Sequence, residues 1–81
     1  MKRTEILEKV QHVVSDVLDL EDLVISEETT ASEVEDWDSI MHVEIIVELE
    51  NTFDVKFRTV EIEDFKKVGD IVSSIESKII A

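Results

Sequence analysis

The chain has no cysteine, no proline and no tyrosine, and only one glycine. Without cysteine there is no disulfide and no thiolate metal site, which fits a reducing compartment, and a cytoplasmic location is expected. Without proline, and with Gly69 as the lone glycine, a turn-rich β architecture is disfavoured and helices are favoured. Long apolar runs are missing too: nothing approaches the ~20 residues needed to span a bilayer. The start, Met1 to Glu8, is charged and periodic and has no signal-peptide core.

Positive charge is also scarce. Eight Lys and Arg stand against 21 Asp and Glu, a net charge of −13. Residues 1–18 and residues 55–81 each sum to zero, so the whole excess falls in residues 19–54, which hold 13 acids and no Lys or Arg. Nucleic acid is therefore excluded as a partner, because phosphate binding needs clustered cations. An anionic membrane surface is disfavoured for the same reason. A basic protein surface fits this charge, and complementarity would speed encounter more than tighten the complex. A solvated acidic loop that aids solubility is the plain alternative.

At 81 residues the chain is expected to form one domain over residues 1–81. Ile6, Leu7, Val10, Val13, Val14, Val17 and Leu18 recur at helical spacing, which predicts a first helix from about Thr4, with Thr4 as its cap, to Leu18. His12 lies off that stripe and is read as an exposed helix residue. Residues 19–37 lack a sustained period. They offer loop chemistry (Ser26 to Thr30) and one short turn (Ala31 to Asp36), while Leu20, Leu23, Ile25, Val34 and Trp37 should hold the segment against the helices. A second helix is expected from Ser39 to about Thr52. Asp54 to Arg58 reads as an extended link, Thr59 as the cap of a short third helix, and Val68 to Ile80 as a fourth helix. The predicted fold is all-α: a small four-helix bundle with a long first loop and a short third helix.

The second helix holds the chemistry. Asp38 suits the N-cap, where its carboxylate can accept a first-turn N–H at the positive end of the dipole. Ser39 follows at the first helical position. Ile45, Ile46, Leu49 and Phe53 form a stripe for the core. Ile40, Val43 and Val47 fall on a neighbouring face beside Glu44 and Glu48, and that second face is either extra core or a docking surface. His42 is expected at the edge of the core beside Ile45 and Ile46. It has no second His or Cys at ligand spacing, so no metal site is expected. An EF-hand fails because the turn glycine after Asp36 and Asp38 is missing. Ser39 has no evident base and no G-x-S-x-G elbow, which argues against a serine hydrolase.

Asp38-Ser39-Ile40, the apolar and acidic helix Val43 to Phe53 behind it, and the long first loop resemble the acyl carrier protein family. The similarity covers nearly the whole chain. It implies that Ser39, with Asp38 beside it, carries a 4′-phosphopantetheine arm whose thiol holds acyl intermediates of fatty-acid, polyketide or related biosynthesis as thioesters. The chain itself would not be an enzyme. The implied partners are a phosphopantetheinyl transferase and acyl-transferring or acyl-activating enzymes with basic docking surfaces. These would meet Ile40, Val43, Glu44, Val47 and Glu48 on a monomeric carrier. Trp37 stands where many fatty-acid carriers have a small residue. Ile40 replaces the commoner Leu, Met41 and His42 sit where small or acidic residues are frequent, and Lys66-Lys67 replaces a hydroxyl-rich helix start. These departures resemble stand-alone carriers of specialised pathways. Trp37 either covers the core or borders the arm. The competing reading is a small acidic interaction module that uses the second helix without a prosthetic group.

Overall fold

The structure, a computed structural model, describes residues 2–80. Its elements are α1 (Arg3–Leu18), a 3₁₀ turn (Ala31–Glu33), α2 (Ser39–Phe53), α3 (Thr59–Asp64) and α4 (Val68–Ile80). No strand occurs among the described residues, so the expected four-helix architecture with a long first loop and a short α3 is what forms. No helix among them is long and apolar enough to cross a membrane.

Two helix starts differ from expectation. α1 is capped at Lys2, not Thr4, and α3 at Arg58, not Thr59. In both, an acid at the third helical position reaches back: Glu5 accepts the Lys2 N–H at 3.0 Å, and Glu61 accepts the Arg58 N–H at 2.8 Å. This is the acid half of a capping box, working without the Ser or Thr that a cap search looks for. The C-terminal ends of α1 and α2 are closed by Asp19 and Asp54 in left-handed backbone, at φ 56° and 55°. Glycine usually takes such positions, and Asp is among the residues that tolerate them best.

Ile6, Val10 and Val14 of α1, Ile45 and Leu49 of α2, and Val68, Val72 and Ile75 of α4 are essentially sealed from solvent. Ile25, Val34 and Trp37 of the first loop are buried with them, and Leu20 and Leu23 are half-buried against the same core. The loop is tied down by its backbone as well. Gln11 Oε1 accepts the Ile25 N–H at 2.9 Å. The first N–H groups of α4, which have no partner inside the helix, donate to loop carbonyls: Val68 to Thr29 and Gly69 to Glu27, both at 2.8 Å. Arg3 completes the clamp, donating from Nε to Glu27 at 3.2 Å and from Nη1 to Glu76 of α4 at 2.9 Å. These bonds hold the Glu27 carboxyl below its usual range and raise the Arg3 guanidinium further. At the other end, Glu61 of α3 meets Ser74 Oγ at 3.0 Å and Lys78 Nζ at 2.9 Å. The Arg58 backbone N–H, then Lys78, pull the Glu61 carboxyl down to about 2.

Gly69 is therefore set by close approach. A Cβ there would lie 2.9 Å from the Glu27 carbonyl oxygen, inside contact distance. Helix propensity alone would favour Ala over Gly by about 1 kcal/mol. The clash is with backbone that also accepts a hydrogen bond, so Gly69→Ala is expected to lower the thermal midpoint. A raised midpoint in a melting curve would show that the loop yields freely.

Candidate functional site

The segment before α2 is a tight turn. Trp37 N–H donates to the Val34 carbonyl at 3.3 Å, and Asp38 N–H to the Asp36 carbonyl at 3.0 Å. Asp36 has φ 71°, the left-handed region. Trp37 drops into the core while Asp38 stays exposed in extended backbone at φ −98°. Asp38 is the cap of α2: Oδ1 accepts the Met41 N–H at 2.9 Å, and its carbonyl accepts the His42 N–H at 2.8 Å. Ser39, exposed at the first position of a 15-residue helix, sits directly behind that cap.

α2 sorts its apolar residues onto two faces. Ile45, Ile46 and Leu49 are buried, and Phe53 is half-buried against the core. Ile40, Val43 and Val47 remain 69%, 59% and 47% exposed. The alternative left open by their spacing, that they form extra core, is thereby removed. Glu44 and Glu48 are exposed beside them. The structure thus brings Asp38, Ser39, Ile40, Val43, Glu44, Val47 and Glu48 onto one free surface leading away from the helix start.

A pairing that sequence reasoning missed stands behind this surface. Trp37 Nε1 donates to His42 Nδ1 at 3.1 Å, and the two rings stack with centroids 6.1 Å apart. The spacing of a donor-only indole five residues before an imidazole was the only available sign, and it is a weak one. Trp37 thus covers the core, and His42 is committed to Trp37 rather than to Ser39. Nδ1 must be unprotonated to accept this bond. Burial lowers the imidazole pKa below its usual 6.5, and the Ile62 backbone acts in the opposite sense without cancelling it. A folded pKa below the unfolded one stabilises the fold above pH ~6.5, and the contribution is lost as pH falls through the folded value. We expect the His42 titration followed by NMR to have its midpoint below 6.5, with the Trp37 indole proton losing protection in the same range. A midpoint at or above 6.5 would show that the pairing does not persist in solution.

The site presents the Ser39 hydroxyl in the open at the start of a helix. No group of three His, Cys, Asp or Glu residues placed to hold a metal ion occurs among the described residues. Ser39 is exposed, and the N-terminal amides of α2 and its dipole suit a phosphodiester oxygen, so the residues present fit a phosphate-linked arm.

Comparison with known proteins gives this geometry its class. The family described as "Phosphopantetheine attachment site" matches residues 8–75. The chain is similar to an acyl carrier protein of Thermosynechococcus vestitus, 36% identical over 81 residues and covering 100% of both chains. It is also similar to one of Thermotoga maritima, 34% identical over 77 residues and covering 95% of each. Among solved structures it resembles the holo acyl carrier protein of Geobacter metallireducens, with a TM-score of 0.85, 31% identity and coverage of 91% of this chain and 85% of that one. The chain belongs to the acyl carrier protein family, carriers built on a 4′-phosphopantetheine group. Membership favours the carrier over an interaction module without a prosthetic group, and it implies dealings with a phosphopantetheinyl transferase and with acyl-handling enzymes.

Proposed function

We propose that residues 1–81 act as a single, monomeric, cytoplasmic carrier domain whose 4′-phosphopantetheine is linked through Ser39. The observation that carries this is the placement of Ser39: exposed, first in α2, and immediately behind a cap supplied by Asp38 rather than by its own hydroxyl. In attachment the Ser39 oxygen loses its proton and forms a bond to phosphorus, while coenzyme A gives up its nucleotide part. The activating base and Mg²⁺ come from the transferase, since His42 is held by Trp37. Asp38 keeps the helix start ordered so that the hydroxyl is presented in one place. The arm supplies the thiol on which acyl groups of fatty-acid, polyketide or related biosynthesis ride as thioesters. Ile40, Val43 and Val47 give partner enzymes an apolar contact, and Glu44 and Glu48 meet their basic side chains. The chain itself acts as carrier, not as enzyme.

The test is an intact mass after incubation with coenzyme A, Mg²⁺ and a broad-specificity phosphopantetheinyl transferase, followed by fragmentation to locate the group. One added phosphopantetheinyl group at residue 39 is expected. No gain while a known carrier is modified in parallel, or a gain at another residue, would overturn the reading.

A further inference from the structure

The exposed face of α2 continues into a groove. A cavity of about 750 Å³ opens between α1 and α2. Val17 of α1 and Val43 and Val47 of α2 line it, with Asp16 on the α1 side and Glu44 and Glu48 on the α2 side. His12 is the one lining residue able to gain positive charge, and no Lys or Arg takes part. Among the described residues no salt bridge engages Asp16, Glu44 or Glu48.

Asp16 is out of place on local grounds. It lies in the last turn of α1, which holds no basic residue. The C-terminal end of a helix favours cations, so the dipole opposes a carboxylate there. Helix stability therefore does not account for Asp16, which lines the same groove as Glu44 and Glu48. Val43 lies four residues beyond Ser39, about 6 Å along the axis, so an enzyme that reaches Ser39 covers the near end of the groove.

We propose that this groove receives a segment of the enzyme that acts at Ser39, and that Asp16 and Val17 make α1 the second wall of the docking site. This rests on the assignment of Ser39 above. The occupant follows from the chemistry of the walls: an amphipathic segment with an aliphatic ridge for the valines and Lys or Arg along both edges. Acids on two different helices select cations on both edges, which a docking site on α2 alone would not do.

Loading by the same phosphopantetheinyl transferase tests this. Asp16→Lys is compared with Asp22→Lys, which makes the same charge change at an exposed acid of the first loop outside the groove. Lysine suits the end of α1, so Asp16→Lys should keep its helical circular dichroism. Asp16→Lys is expected to lower kcat/KM by about 5- to 10-fold at low salt, mainly through KM, and the loss should shrink near about 0.5 M salt. Asp22→Lys is expected to change it by about two-fold or less. Equal effects of the two variants would remove α1 from the docking site. If Glu48→Lys alone slows loading, docking on α2 stands and the α1 wall falls. If Ser39→Ala is still loaded, the assignment of Ser39 falls instead.

Discussion

Ser39→Ala is expected to abolish phosphopantetheine loading completely while leaving the fold intact. The first effect is all-or-none, because the variant removes the oxygen that would bond to phosphorus, and no other hydroxyl shares its setting. Thr59, also exposed and first in its helix, opens a six-residue helix behind Arg58, with no capping Asp. The second effect follows from the division of labour at the start of α2. Asp38, not Ser39, accepts the Met41 N–H, so the cap survives. Ser39 is exposed and contributes nothing to the core, so stability should change by under about 0.5 kcal/mol. Intact mass and urea unfolding followed by Trp37 fluorescence measure the two effects on one sample. A variant that unfolds would make Ser39 structural and its exposure wrong.

Leu49→Ala should give one of the largest losses of stability on α2. Leu49 is 0% exposed. Truncating such a side chain removes its burial and leaves a cavity, together costing about 2–5 kcal/mol. A domain of 81 residues has roughly 4–12 kcal/mol in total, at about 0.05–0.15 kcal/mol per residue, so the change is a large share of the whole. The thermal midpoint should fall by at least about 8 °C. Val47→Ala, two residues away on the same helix but 47% exposed, should cost under about 1 kcal/mol. The contrast checks that α2 has one face for the core and one for partners. Equal losses would mean that Val47 is packed and the docking face is misassigned.

The start of α2 and the whole of α4 were readable from residues close in the chain. Asp38 followed by Ser39 and an apolar helix is a local signal, because a cap acts over three residues and an apolar stripe over two or three turns. α1 and α3 are capped one or two residues before the Thr residues that the sequence predicts as caps. There the backward reach of Glu5 and Glu61 took the place of a Thr cap, and an exposed acid at the third helical position looks like any other surface acid in a chain with 21 of them.

Composition and local pattern by themselves determined that this chain is helical, strongly acidic through residues 19–54, and equipped with a serine at a capped helix start. Those properties depend on neighbours within a few residues and on a sum of charges. Only the tertiary structure decided which apolar face of α2 stays in solvent, why Gly69 must lack a Cβ, that Trp37 and His42 pair, and that Asp16 lines the same groove as Glu44 and Glu48. Each of these depends on what a second segment places opposite the first: Val43 stays exposed because no helix among the described residues covers it, and Gly69 is confined because the Glu27 carbonyl arrives from 42 positions earlier in the chain. Such separations leave no periodic trace, because the contact is made by packing and not by the repeat of the helix.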